Sequence, residues 1–282
     1  MEVIVGKYAG FCPGVSFTVN KAQELLEKEN LYCLGEIIHN EQVIKSLEEK
    51  GMKTVSSIED VPNGAKLIFR AHGEPKWVYE RALEKNVEVI DLTCGKVGVI
   101  HQKVEKQIGK SFIIIVGKKG HPEVIGTKGF AGDASYIIES SDDILPAYME
   151  YEKTNLGKVY VVAQTTFSSK LFDELVDEIR TNFAEATFAV DKTICNTTEI
   201  RQREVGELSK GVSKMVVIGG KNSSNTKELA RIAEVACGNV IQVQTANDLQ
   251  KSYFDAQDKV GIVAGASTPS YIIEEVKNFL SE

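Results

Sequence analysis

Positive charge is in short supply: 33 Lys and Arg stand against 40 Asp and Glu, for a net charge of −7. That balance argues against a general nucleic-acid binder, which needs a basic face. It leaves room for a small anionic ligand, because local donors can outweigh the global field. Long apolar runs are missing too. No stretch approaches the roughly 20 residues that a membrane helix requires, so no membrane span is expected. Met1-Glu2-Val3-Ile4-Val5-Gly6 has no basic n-region, so no export signal is expected and the cytoplasm is the expected location. Cysteine is scarce, five in 282 residues, and no two stand two to four residues apart as zinc ligands usually do. In the cytosol, widely spaced cysteines point to metal or catalytic chemistry rather than disulfides. Low-complexity linkers are absent as well, which leaves domain boundaries soft.

What is present is one plan, repeated. A short β-rich apolar run leads into a small polar cluster, and an amphipathic helix follows. Leu31-Tyr-Cys-Leu-Gly-Glu-Ile-Ile leads into His39-Asn40, with a helix expected over 42–50. Lys66-Leu-Ile-Phe-Arg leads into Ala71-His72-Gly73-Glu74-Pro75, then a helix over 77–86. Ser111-Phe-Ile-Ile-Ile-Val leads into Gly117-Lys-Lys-Gly-His-Pro-Glu123, and Val159-Tyr-Val-Val-Ala into Gln164-Thr-Thr-Phe-Ser168, whose serine caps a helix through Arg180. Lys214-Met-Val-Val-Ile leads into Gly219-Gly-Lys-Asn-Ser-Ser-Asn-Thr226, and Val260-Gly-Ile-Val-Ala into Gly265-Ala-Ser-Thr-Pro-Ser270. Alternating strands and helices imply parallel sheets with helices on both faces. Ligands of such sheets sit beyond the carboxyl ends of the strands, where these polar clusters fall.

The cysteines divide into two kinds. Cys33 lies inside an apolar strand and Cys237 ends an alanine-rich helix, and both read as small core residues. Cys12, Cys94 and Cys195 instead close strands beside small residues, at intervals of about one α/β unit. After Cys94 a helix is expected over 97–108. Three such thiolates suit one shared metal site, with zinc or an iron–sulfur cluster as its occupant. A four-iron cubane is normally held by four cysteines. With three, one iron lacks a protein ligand and can take substrate, as open metal positions do in catalytic sites.

Gly219 to Thr226 is a glycine-rich turn entering a helix expected to begin near Thr226. Its free N–H groups, helix dipole and short polar side chains suit an anion. It is not a Walker A loop, because the Gly-Lys-Ser/Thr ending is missing. His39, His72 and His121 also close strands, whereas His101 falls in a helix pattern and reads as structural. Glu123, taken alone, reads as a solvated loop carboxylate.

Ala9-Gly-Phe-Cys12, His39-Asn40, Ala71-His72-Gly73, Gly120-His-Pro-Glu-Val124, Gln164-Thr-Thr166, Thr193-Ile-Cys195, Arg201-Gln202, Asn222-Ser-Ser-Asn-Thr226 and Gly265-Ala-Ser267 occur in order. Together they resemble the 4-hydroxy-3-methylbut-2-enyl diphosphate reductase family, the last enzymes of the non-mevalonate isoprenoid pathway. The resemblance implies an α/β fold of three similar lobes of mostly parallel sheet around a central 4Fe–4S cluster. The lobes are expected at 14–94, 95–192 and 193–282, the last joined by the N-terminal strand 1–13. It implies Cys12, Cys94 and Cys195 as cluster ligands. It implies His39, His72, His121, Ser223, Ser224, Asn225 and Ser267 as diphosphate contacts, and Glu123 with Thr165 as the proton-delivery pair. It implies removal of the allylic hydroxyl by two electrons and two protons, giving isopentenyl and dimethylallyl diphosphates. The implied partners are the small allylic diphosphate and an external electron donor such as ferredoxin or flavodoxin, acting on a monomer, with no nucleic acid or membrane. The chain departs from the family pattern at Gly95-Lys96, where Pro-Leu is usual, at Asn196, where Ala is commoner, and at Arg70, where a small residue is expected. Two other readings remain at this point: a non-catalytic iron–sulfur sensor, and a zinc-dependent hydrolase or phosphosugar isomerase-like protein built on the serine-rich loop.

Overall fold

The structure, a computed structural model, describes residues 1–282. Its elements follow the expected alternation. In chain order they are β1 (Glu2–Val5), α1 (Pro13–Leu26), β2 (Leu31–Leu34), α2 (Glu41–Glu49), β3 (Met52–Val55), β4 (Lys66–Phe69), α3 (Lys76–Glu84) and β5 (Glu88–Asp91). Then come α4 (Gly95–Glu105), β6 (Phe112–Val116), α5 (Pro122–Ala131), β7 (Ser135–Ile138), α6 (Ile144–Glu152), β8 (Lys158–Ala163), α7 (Ser169–Asn182) and β9 (Thr187–Asp191). The last are α8 (Asn196–Leu208), β10 (Lys214–Ile218), α9 (Ser224–Cys237), β11 (Val240–Val243), β12 (Lys259–Ala264) and α10 (Ser270–Ser281). No helix is long and apolar enough to cross a membrane.

The strands form three four-stranded sheets, and every pairing is parallel. The chain divides into two compact units. One comprises Lys21–Ile37 and Lys50–Cys195 and holds two of the sheets, in the orders β3-β2-β4-β5 and β7-β6-β8-β9. Strand β6 shows why both faces are covered. Phe112, Ile114 and Val116 pack with Phe172 and Ile179 of α7 and with Ile144 and Ala147 of α6. The alternate residues Ile113 and Ile115 pack with Ile100 and Val104 of α4 and with Val124 of α5. A strand buried on both faces reads as a continuous apolar run, as Phe-Ile-Ile-Ile-Val does. Each such side chain contributes about 1.5–3 kcal/mol on burial.

The other unit comprises Met1–Asn20, Ile38–Glu49 and Asn196–Glu282 and holds the third sheet, β1-β12-β10-β11. Met215 and Val217 of β10 pack with Val205 of α8 and Leu229 and Ala233 of α9. Val216 and Ile218 face Ile272, Val276 and Leu280 of α10. Strand β1 adds to β12 in register from Glu2↔Lys259 to Val5↔Ile262. All three sheets thus follow one order, in which the second strand flanks the first and the third and fourth lie beyond it. In the third sheet β1 takes the fourth place.

Helix α4 starts two residues earlier than the sequence pattern suggests and stops sooner, because Cys94 is its N-cap and Gly98 N already donates to Cys94 O (3.0 Å). Residues 106–110 continue it only as turns.

Candidate active site

In the two-sheet unit, the expected residues stand at strand carboxyl ends and are tied to one another through backbone. The turn that carries His72 follows β4, and the loop carrying Cys94 follows the neighbouring β5. Cys94 N donates to Ala71 O (3.0 Å), which ties the Cys94 loop to the histidine turn. His121 follows β6 and caps α5: its Nδ1 accepts from Glu123 N (3.2 Å), and Pro122 occupies the first helical turn, where a missing N–H is harmless. The His72 and His121 rings meet edge to face, with centroids 5.5 Å apart.

Glu123 is buried, not solvated as the residue alone suggested; it is 2% exposed. Its carboxylate accepts two hydrogen bonds from one residue across the sheet. Thr165 N donates to Oε1 (2.6 Å) and Thr165 Oγ1 to Oε2 (2.7 Å). Burial pushes the carboxyl up to about 7, against the two Thr165 bonds, which pull it down. A carboxyl with such a value exchanges a proton near neutral pH. The Thr165 loop is itself fixed. Gln164, buried, accepts from Lys118 N (3.0 Å) and donates to Thr166 Oγ1 (2.8 Å). Cys195 N donates to Thr165 O (2.9 Å), and Thr193 Oγ1 bonds both N and O of Ala163, seating the third cysteine against the end of β8.

In the one-sheet unit, α9 begins at Ser224, two residues before the expected start, because Ser223 is the cap: its Oγ accepts from Thr226 N (3.2 Å). Ser223, Ser224 and Asn225 are each 4% exposed. The buried Asn225 Nδ2 has no hydrogen-bond partner. A donor in that state calls for an acceptor, and beside a helix N-terminus an anion is the natural one. Ser267, after β12, donates from Oγ to His39 O (3.2 Å). The same carbonyl lies 2.4 Å from where a Cβ on Gly220 would sit, so only glycine allows the α9 loop this close to His39. Cys12 N donates to Ala266 O (3.1 Å), next to Ser267, and Cys12 Sγ accepts from Val15 N (3.5 Å) in the first turn of α1.

Arg201 and Gln202 stand in the sequence as a motif without a task. The structure gives Arg201 one. From α8, its Nε donates to Tyr8 O (2.9 Å) and its Nη2 to Gly10 O (2.7 Å), so a buried guanidinium fork holds the turn ahead of Cys12. The remaining cysteines differ from the three ligand candidates. Cys33 is fully buried in β2, and burial pushes its thiol up to about 12. Cys237 is half-buried rather than a core residue, at the far end of α9, with Sγ near Val212 O (3.7 Å). His101 is structural, as its position suggests: it stacks on Phe130 with centroids 4.4 Å apart, and burial pushes it down to about 4.

A family model described as LytB protein matches residues 3–281. A 4-hydroxy-3-methylbut-2-enyl diphosphate reductase of Caldanaerobacter subterraneus is 41% identical over 284 residues, covering 98% of this chain and 95% of the relative. The enzyme of the same name from Aquifex aeolicus is 38% identical over 288 residues, covering 100% and 96%. Among solved structures, the E-1-hydroxy-2-methyl-but-2-enyl-4-diphosphate reductase from Plasmodium falciparum matches with a TM-score of 0.91 at 29% identity, covering all of this chain and 88% of that one. An (E)-4-hydroxy-3-methyl-but-2-enyl diphosphate reductase, described as the terminal enzyme of the non-mevalonate pathway, matches at 0.70 and 38% identity, covering 100% and 99%. With the family model and the relatives both spanning nearly its whole length, the chain belongs to the LytB family of 4-hydroxy-3-methylbut-2-enyl diphosphate reductases, which are oxidoreductases of isoprenoid biosynthesis.

Proposed function

We propose that the protein removes the allylic hydroxyl of 4-hydroxy-3-methylbut-2-enyl diphosphate, yielding isopentenyl and dimethylallyl diphosphates. The balance requires two electrons and two protons per substrate, with the hydroxyl leaving as water. The observation that carries this reading is the Glu123–Thr165 pair, a buried carboxyl held near neutrality and bonded to a hydroxyl.

The residues fit a 4Fe–4S cluster held by Cys12, Cys94 and Cys195. None of the three is in a disulfide and all are partly exposed, whereas Cys33 is neither accessible nor readily ionised. Space beside Cys94 is open, since a Cβ on Gly95 would meet nothing within 4 Å. Bound there, a cluster with one iron free of protein ligands would supply the two electrons and a Lewis-acid position, with an external donor of the ferredoxin or flavodoxin class behind it. The chain's own residues do the rest. Ser223, Ser224, Asn225, Ser267, His39, His72 and His121 hold the diphosphate, with the dipole of α9 aligned to favour negative charge. That remote anchor orients the carbon bearing the hydroxyl. Glu123 stores the proton at Oε2. Thr165 Oγ1 passes it on, because a hydroxyl accepts one proton as it donates another. Protonating the departing oxygen is what hydroxide, a poor leaving group, demands. We also propose that the lobes run over 14–94, 95–192 and 193–282 with 1–13, a division supported by the repeated strand order and the pairing of β1 with β12.

The test is anaerobic purification, iron and sulfide assay, and dithionite-driven turnover with product analysis. Brown protein releasing both diphosphates is the expected result. Brown protein that turns nothing over, or colourless protein active in air, would overturn the reading.

A further inference from the structure

The turn that carries His72 is bracketed by opposite charges. Arg70 precedes it and Glu74 follows it, and Arg70 Nε donates to Glu74 Oε1 at 2.8 Å. The side chains are 16% and 5% exposed, so this is no screened surface pair. Taking two charges out of water is unfavourable, and a buried pair is weak evidence for stability alone; its better-attested use is to fix one conformation. The turn between them has the shape such a device would fix. Gly73 N donates to Arg70 O (3.0 Å), and the His101 ring fills the side of Gly73 where a Cβ would lie. The far side of the guanidinium is also fitted. Gly35, in left-handed backbone at φ +69° after β2, would place a Cβ 2.2 Å from Arg70 Nη1. Arg70 therefore rests on bare backbone at one end and on Glu74 at the other. Glu74 also stands just ahead of α3, where a carboxylate suits the helix dipole. Burial raises its carboxyl, and Arg70 is the group that opposes this. The chain carries this arginine where its family resemblance leads one to expect a small residue.

We infer that the Arg70–Glu74 pair is a positioning device that sets the His72 ring for the diphosphate, making these two residues determinants of substrate affinity without touching substrate. The inference rests on the proposed role of His72 as a diphosphate contact. It predicts that the pair acts only through His72, which a merely structural ion pair would not do.

A thermodynamic cycle separates the two. Inorganic diphosphate is titrated calorimetrically into anaerobic, cluster-loaded wild type, Arg70→Met/Glu74→Leu, His72→Ala and the triple variant, with thermal melts confirming the fold. Removing the pair is expected to weaken diphosphate about tenfold in the presence of His72 and less than about twofold in its absence. Equal weakening in both backgrounds, or none in wild type, overturns the inference while leaving His72 a contact. If His72→Ala alone leaves affinity unchanged, the proposed role of His72 fails and the inference fails with it. Should the apolar pair not fold, Glu74→Gln goes through the same cycle, with a smaller loss in the same direction expected and the same two outcomes overturning it.

Discussion

The Glu123 carboxyl is raised by what surrounds it, and its surroundings were the part the sequence could not show. A glutamate two residues after a histidine looks solvated; what buries it is a loop more than 40 residues on, whose Thr165 closes over it. Cys12, Cys94 and Cys195 stand out in the sequence because each ends an apolar run, whereas the task of Arg201 does not, since its acceptors Tyr8 O and Gly10 O lie at the other end of the chain. Replacing Glu123 with Gln keeps the shape and removes the acid. Turnover with dithionite as reductant is expected to fall by about 10²–10⁴, with iron content and diphosphate binding near normal. Activity within a few-fold of wild type would mean that the proton arrives by another route. Stability offers an independent check. The folded value of about 7 lies above the ordinary 4.5, so the group's contribution is fully present below about pH 4.5 and is lost as pH rises through 7. Denaturant melts should show wild type losing on the order of 3 kcal/mol relative to Glu123→Gln between pH 4.5 and 8. A difference that stays flat over that window would mean the carboxyl is ionised throughout.

Periodicity places the elements to within a few residues at their ends, and the differences have physical causes. The start of α9 slipped by two residues because Ser223 and Thr226 are both cap types. Only the folded chain shows that Ser223, in extended backbone, receives the Thr226 N–H. The slip matters for function, since it moves Ser224 and Asn225 into the first turn, where N–H groups lack helical acceptors. Ser223→Ala with Asn225→Ala should therefore have two effects. Loss of the cap should lower stability by about 1 kcal/mol. Loss of donors to a charged group, at about 1.5–3 kcal/mol for each bond, should weaken inorganic diphosphate by roughly tenfold or more. Calorimetry on cluster-loaded protein measures the second separately from the first. Affinity unchanged in the double variant would move the anion site off α9.

At the scale of the whole chain, one strand order occurs three times, and the candidate site residues follow it. Beyond the first and third strands of each sheet come the polar residues: His39 and His72, His121 and Thr165, Ser223 and Ser267. These strands flank the point where the order reverses, the usual place for ligands in open parallel sheets. Beyond the fourth strand comes a cysteine every time: Cys94 after β5, Cys195 after β9, Cys12 after β1. The alternation of runs and helices made the sheets readable in advance, and the cysteine spacing made the repeat readable. That the first strand fills the last sheet came only from resemblance, because pairing of β1 with β12 joins the two ends of the chain. Equivalent placement predicts equivalent service. Cys12→Ser, Cys94→Ser and Cys195→Ser should each reduce iron and sulfide in anaerobically purified protein. Cys33→Ala should not, since that thiol lies within β2, fully buried and held protonated. Nor should Cys237→Ser, for Cys237 closes the 14-residue α9, and a helix of that length puts it roughly 20 Å from the Ser223 end. Iron lost from Cys33→Ala but retained by Cys94→Ser would break the link between the fourth strands and the cluster, and the ligand set would have to be drawn from elsewhere in the fold.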